Sequence, residues 1–470
     1  MTTAREGDLR VVDHVFRRPV ALLGTAIRSF GRWKNQVRTS SRSLEGARRA
    51  QQRQESAPKR FVITNVFGDT NVGGAAITAA TLEALLVASP GAQVAALPID
   101  NRRPIDRSHQ LTTSAYPELR WLPSPFPRSG PLAGIRRVAR LIASLVLPGR
   151  DSDPPALKAL RNADLVVSKG GYVFVDRDSI RSTLSMVSTI YPLLYAARHG
   201  VPTATFPTTV GPFSHSIPRA VVRHVLRRLD LVIARDPRSF DEALALGVPR
   251  DRVVSATDGV LHMAPPSLAA QEKALAKAGL QGQRFLVLTL RHIPEAAPNE
   301  KMFRAVEEAS RNALDRSHVD RIVIAIHDEA ERSHAHRLAD ALGAPATVLE
   351  EGWTPTGLIA LYARAEVLLA TRLHSAIFAF IAGTPAVAVS SAGTKTEGVY
   401  ESLGLPGSWV MPLRDTTGSR LSAQMTEMAG ESAARAQVQE AMERLRKNGN
   451  PVAAHFAALA QHRRPLPVRD

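Results

Sequence analysis

Arg372 and His374 stand two residues apart in the stretch VLLATRLHSAIFAFIAGTPAVAVS, residues 367–390. A guanidinium can hold a carboxylate or phosphate through two parallel hydrogen bonds, and an imidazole can move a proton near neutral pH. The pair therefore reads as an anion site able to transfer a proton. Residues 367–371 form a short apolar run that suits a buried strand. Residues 375–381 suit a buried helix, which Gly383 and Pro385 end before a second strand over 386–389. Arg372 and His374 thus fall where a parallel strand hands over to a helix N-terminus, at the carboxyl edge of a sheet, where open α/β folds bind ligands. The bland alternative is an arginine closing the sheet edge against an acid and a histidine satisfied inside a helix cap.

The bulk properties narrow the field. A length of 470 residues suggests two or three domains. With 44% hydrophobic and 22% charged residues, the chain can bury a sizeable core. It has no cysteine, which excludes disulfides, thiolate metal sites and a cysteine nucleophile. No apolar run reaches the roughly 18 to 20 residues needed to span a bilayer. Arg5, Arg10, Arg17 and Arg18 interrupt any secretory-signal pattern, so a cytoplasmic location is expected. The net charge of +17 favours anionic partners such as phosphorylated substrates or anionic lipid. Nucleic acid is set aside, because no binding signature is present and aromatics make up only 5% of the chain.

The elements that must position the chemistry alternate along the chain. Residues 1–58 are a basic arm in which residues 11–33 are expected to form an amphipathic helix, able to lie on an anionic membrane surface or to pack on its own domain. Residues 59–275 read as a first Rossmann-like domain, opening with a strand over 61–66, a Gly- and Asn-rich turn containing Asn71, and a helix over 75–88. Within it, residues 100–155 read as an insertion rich in Pro, Arg and Ser, with one apolar helix over 132–147. Lys169, Gly170 and Gly171 form an expected turn at a strand end. Residues 276–415 read as a second alternation that includes LTLRH with Arg291. Residues 416–470 follow as a C-terminal helix, over 422–446, and tail. Two such alternations predict two doubly wound parallel sheets facing a cleft, with the site where their carboxyl edges converge.

VFGDTNVGGAAI, VVSKGGYVFVD, PTTVGPF, VIARDPRSF, LTLRH and above all ATRLHSAIFAFIAGTPAVAVS followed by KTEGVYESLGL together resemble the polysaccharide pyruvyl transferase family. The resemblance runs over about residues 61–405. It implies a GT-B-like fold and transfer of a pyruvyl group from phosphoenolpyruvate to a sugar of a cell-surface polysaccharide or glycolipid, closing a cyclic ketal without a cofactor. Carried over by motif, Arg372 and His374 match the donor-site arginine and histidine, Arg235 matches a second basic contact, and Arg291 is a third. Ser375, Lys395, Asn71, Lys169, Gly170 and Gly171 complete the candidate contacts. The chain departs from many relatives in having Ala75 and Ala76 after the first Gly-rich turn, Lys169 before Gly170 and Gly171, Pro207, Thr208 and Thr209 ahead of Gly211, and Ser391 to Lys395 in a later loop. These departures fall mainly on the expected acceptor side or on the lips of the cleft.

Ketal formation needs a general acid at the enol methylene, and His374 is the candidate, with a contribution of roughly 100- to 10,000-fold. Asp258, Asp176 and His327 are candidate bases for the sugar hydroxyl. No metal site is expected, since the His-x-His at His334 and His336 points its side chains apart on a helix. Two rivals stand beside this reading: a GT-B glycosyltransferase using a nucleotide sugar, and a non-catalytic membrane-associated protein binding anionic glycan or lipid through the basic arm. The oligomeric state is left open.

Overall fold

The structure, a computed structural model, describes residues 58–99, 104–123, 153–177, 179–293, 295–315, 319–350, 352–390, 395–429 and 432–461. The basic arm, the helix expected over 132–147 and the loop 391–394 lie outside the described residues.

All strand pairs in the described sheets are parallel. The first sheet is ordered β3-β2-β1-β4-β6, from Arg120–Trp121 (β3), Gln93–Pro98 (β2), Arg60–Val66 (β1), Leu165–Ser168 (β4) and Thr203–Thr205 (β6). Its central strands are buried on both faces, as near-continuous runs such as RFVITNV require. A four-stranded sheet continues it as β5-β7-β8-β9, from Gly171–Phe174 (β5), Thr208–Val210 (β7), Val232–Ala234 (β8) and Val253–Ser255 (β9). The two are joined through the Ala204–Leu231 bridge and the Phe206 N–H, which donates to the Ser168 carbonyl.

This continuation corrects the expected turn at Lys169 to Gly171, because the chain bends there and resumes as β5. A side chain at Gly170 would meet the Pro207 carbonyl oxygen at 2.3 Å, and Gly171 has φ +109, so the bend tolerates little besides glycine. The same bend separates β6 from β7.

The second sheet is ordered β12-β11-β10-β13-β14-β15, from Ala346–Leu349 (β12), Arg321–Ala325 (β11), Phe285–Leu288 (β10), Leu368–Ala370 (β13), Ala386–Ser390 (β14) and Val410–Pro412 (β15). Helices cover both sheets, and the doubly wound parallel architecture matches the expectation. The helix Leu268–Ala278 packs on Pro355–Tyr362 of the second half. The change-over expected at 275/276 falls inside that helix, and we propose residues 263–267 as the crossing.

At the C-terminus, two helices, Gly418–Ala429 and Ser432–Lys447, replace the single helix expected over 422–446. Gly430 stands between them in sequence, and glycine disfavours a helix interior by about 1 kcal/mol. A third helix, Pro451–Gln461, returns to pack on Val72–Ala88 of the first half. Among the described residues, no helix is long and apolar enough to cross a membrane.

Candidate active site

The helix Leu373–Ile381 is buried along nearly its whole surface, from Leu373 through Phe378 and Phe380 to Ile381. Each such side chain contributes roughly 1.5–3 kcal/mol on burial, so the helix is firmly seated. Its start is equally fixed. The Thr371 hydroxyl donates to the Thr289 carbonyl at 2.7 Å and accepts the Arg291 N–H at 2.6 Å, tying the ends of β13 and β10 together. Ser375 donates to the Arg372 carbonyl at 2.7 Å and bonds the Thr289 hydroxyl at 2.9 Å. Ser375 was expected to touch substrate; it is fully buried with its hydroxyl engaged, and it holds the helix start in place instead.

Arg372, Leu373 and His374 face a cavity of 460 Å³ between the two halves. Arg291 and Lys395 join them from the second half, and Arg235, Arg177, Asn71, Gly170, Gly171 and Tyr172 from the first. Arg235, Arg291, Lys395 and His374, drawn from separate segments, thus line one cavity. Lys169 is placed differently: it is fully buried behind Gly74, its Nζ has no hydrogen-bond partner, and burial pushes its pKa down to about 7, with Asp69 opposing.

Arg235 and Arg372 are each held in an ion pair. The Arg235 guanidinium donates to Asp258 at 2.9 Å in a buried ion pair. Arg372 donates through Nε to Glu331 and lies 3.5 Å from Asp328 through its terminal nitrogen. Glu331 is only 1% exposed. Burial raises its pKa, while the charge and hydrogen bond of Arg372 pull it down. Sequence reasoning missed this carboxylate, although HDEAE placed it one turn beyond a strand end. The sheet-edge alternative thus describes part of what Arg372 does, while the same guanidinium still borders the cavity.

Lys395 is the contrasting case. Burial pushes its ammonium down to about 7, and Arg235, Arg291 and Arg372 push further in the same direction. Its Nζ sits 4.7 Å from the centre of the Tyr172 ring.

His374 is half-buried, and its Nε2 is enclosed with no hydrogen-bond partner. Burial pushes its pKa down to about 4; Asp258 opposes this, while Arg235, Lys395 and Arg372 reinforce it. These surroundings work against the protonated imidazole that the sequence reading expects near pH 7. A side chain at Gly73 would lie 2.7 Å from His374 Cγ and Nδ1, so the helix Val72–Ala88 closes directly on the ring.

The three candidate bases separate. Asp258 holds Arg235 and caps the Val260 N–H. Asp176 bonds His215 Nδ1 and the Ser214 N–H, each at 2.8 Å. His327 borders the cavity, bonds the Tyr362 hydroxyl at 2.8 Å through Nε2, and is pushed down to about 3 by burial, then by Arg372 and His374. Asn71 is likewise committed within the protein: its side-chain oxygen accepts from Gly74 N–H, and its nitrogen donates to Asp328 at 2.9 Å, a link across the two halves.

The family model described as polysaccharide pyruvyl transferase matches residues 71–393, which span both walls of this cavity. Among solved structures, the chain is similar to HepE of Anabaena in complex with UDP-glucose at 11% identity and TM-score 0.57, covering 86% of this chain and 99% of that one. It is also similar to UDP-GlcNAc 2-epimerase from Neisseria meningitidis at 12% identity and TM-score 0.52, covering 86% and 99%. The UDP complex of MnaA from S. aureus matches at 15% identity and TM-score 0.53, covering 87% and 99%. At these identities the likeness concerns the fold, which is GT-B-like.

Proposed function

Because the chain belongs to the polysaccharide pyruvyl transferase family, we propose that it moves a pyruvyl group from phosphoenolpyruvate to two hydroxyls of a glycan sugar, forming a cyclic ketal and releasing phosphate. The observation that carries this reading is the set of five cations, Arg177, Arg235, Arg291, Arg372 and Lys395, lining a single cavity with His374, whose enclosed Nε2 has no partner. A small donor bearing both a carboxylate and a phosphate matches such a cluster, and guanidinium forks suit both groups. The N-terminus of Leu373–Ile381, whose cap Arg372 supplies no side-chain acceptor, adds the positive end of a helix dipole.

Burial and the neighbouring cations depress the basicity of His374 and Lys395. The donor's negative charge favours their protonated forms, so binding draws protons into the cavity. A protonated His374 then gives its proton to the enol methylene. The first sugar hydroxyl adds to the adjacent carbon and loses its proton, the bond from that carbon to the phosphate oxygen breaks, and the second hydroxyl closes the ring with loss of its own proton, one of these protons returning to His374 and the other leaving on the phosphate. Carbon, oxygen and charge balance with inorganic phosphate as the only by-product. Asp258, beside Arg235, is the carboxylate nearest in electrostatic effect to His374.

The test supplies the protein with a surface glycan fraction and either phosphoenolpyruvate or a nucleotide sugar, following phosphate release and glycan-bound pyruvate. Phosphate and ketal appearing together, only with phosphoenolpyruvate, are expected. Turnover of the nucleotide sugar with phosphoenolpyruvate inert would replace this reading with a glycosyl-transfer one.

A further inference from the structure

Two aromatic side chains are markedly exposed among the described residues, Phe67 at 38% and Tyr172 at 48%, and both line the cavity that holds the cation cluster. Water-facing aromatic rings at a cavity wall are poorly accounted for by core packing, because each leaves a large apolar face in solvent. They come from separate places: Phe67 directly follows β1, and Tyr172 is the outward residue of β5, immediately after the bend at Gly170 and Gly171.

Each ring is backed by an ammonium. Lys395 Nζ lies 4.7 Å from the Tyr172 ring centre, and Lys169 Nζ lies 5.5 Å from that of Phe67. A cation over one face holds a ring in place and leaves the opposite face for a ligand. The electron-rich face of an aromatic ring attracts polarised C–H groups, and a pyranose presents just such a face, with its hydroxyls at the edge where a tyrosine hydroxyl can bond. The cavity, at 460 Å³, is also larger than a three-carbon donor fills.

We infer that Tyr172 and Phe67 form a stacking platform for the pyranose ring of the acceptor, on the first-half wall of the cavity opposite Arg372 and His374. This rests on the pyruvyl-transfer reading for the identity of the second substrate. It assigns the acceptor to chemistry different from the donor's: apolar faces for the sugar, guanidinium groups for the anion.

The experiment uses the full chain and saturation-transfer NMR with methyl β-D-glucopyranoside, methyl β-D-galactopyranoside and methyl α-D-mannopyranoside, each with and without phosphoenolpyruvate. Phosphoenolpyruvate binding is measured separately by calorimetry. At least one glycoside should show enhancement of its ring C–H protons. Tyr172→Leu and Phe67→Ala should each weaken it by about tenfold, while Tyr172→Phe retains it and donor affinity stays within about threefold. Lack of enhancement for all three glycosides, or equal enhancement in Tyr172→Leu and Phe67→Ala, overturns the platform. Equal loss of donor and glycoside binding in Tyr172→Leu also overturns it, making Tyr172 a prop for Lys395. If glycosides stack on the rings but phosphoenolpyruvate fails to bind the unaltered protein, the platform stands and the donor assignment falls.

Discussion

The two walls of the cavity are built by opposite means. The second-half wall concentrates Arg372, Leu373 and His374 in three consecutive residues at the start of one buried helix, with Arg291 tied to them through Thr371. The first-half wall is gathered from scattered strand ends: Phe67 and Asn71 after β1, Gly170 to Tyr172 at the bend into β5, and Arg235 after β8. The second wall sets half-buried cations beside the Arg372–Glu331 pair, while the first buries its Arg235–Asp258 pair and carries the exposed aromatic rings. A local wall of this kind is suited to gripping one fixed small anion. A dispersed wall can change its contacts loop by loop, which is what an acceptor-facing surface requires.

The comparison breaks most sharply at Arg372. Replacing it with alanine leaves the Glu331 carboxylate buried without its cation, a loss that typically costs about 3–5 kcal/mol. Arg372→Ala is therefore expected to lower the thermal midpoint markedly and to abolish ketal formation. Adding Glu331→Gln should restore much of the stability and none of the activity. Calorimetric unfolding and phosphate release together check this; an Arg372→Ala protein that stays active would strip the second wall of its assigned role.

A smaller effect is expected where the walls meet. Gly73, in the first half, lies against the His374 ring of the second. Alanine usually favours a helix over glycine by up to about 1 kcal/mol, but here its Cβ would lie 2.7 Å from the imidazole. Gly73→Ala should push the ring from its place and reduce kcat by about 10- to 100-fold, with phosphoenolpyruvate affinity changed less. An unaltered kcat would mean that the position of His374 does not matter to the chemistry.

The same contrast explains what could be read in the sequence. A wall made of consecutive residues leaves a local signature, so the strand, the turn and the buried helix around Arg372 were legible from hydrophobic runs and the Gly383 and Pro385 punctuation. The alternation of strands and helices was legible for the same reason. The pairing of Arg372 with Glu331 was not, because it spans β11 to β13 and depends on how the strands stack. Nor was the bend at Lys169 to Gly171, where a turn and a sheet kink use the same glycines. The bond from Asn71, which lines the cavity, to Asp328 across the halves was not legible either. The half-burial of His374 beside Arg235, Lys395 and Arg372, which works against its protonated form, was not legible either, because it depends on how distant segments pack together.

Lys169 offers the mildest test and the one that bears on the first wall alone. Its amine is fully buried and unpartnered, with a pKa pushed down to about 7, far below the value it regains on unfolding. Above pH 7 the unfolded chain therefore binds more protons at this residue than the folded one, so its destabilising contribution is full at and below pH 7 and fades as the pH rises toward the unfolded value. Lys169→Met, which fills the site without the charge, should be more stable than the natural chain by about 1–4 kcal/mol at pH 7. That advantage should shrink steadily by pH 10 in parallel denaturant titrations. Activity should fall by less than about tenfold, since the amine lies behind Gly74 and not in the cavity wall. A stability difference that is flat from pH 7 to 10 would mean that the ammonium keeps its ordinary proton, and that its partner in the folded chain lies across the turn at Asp69.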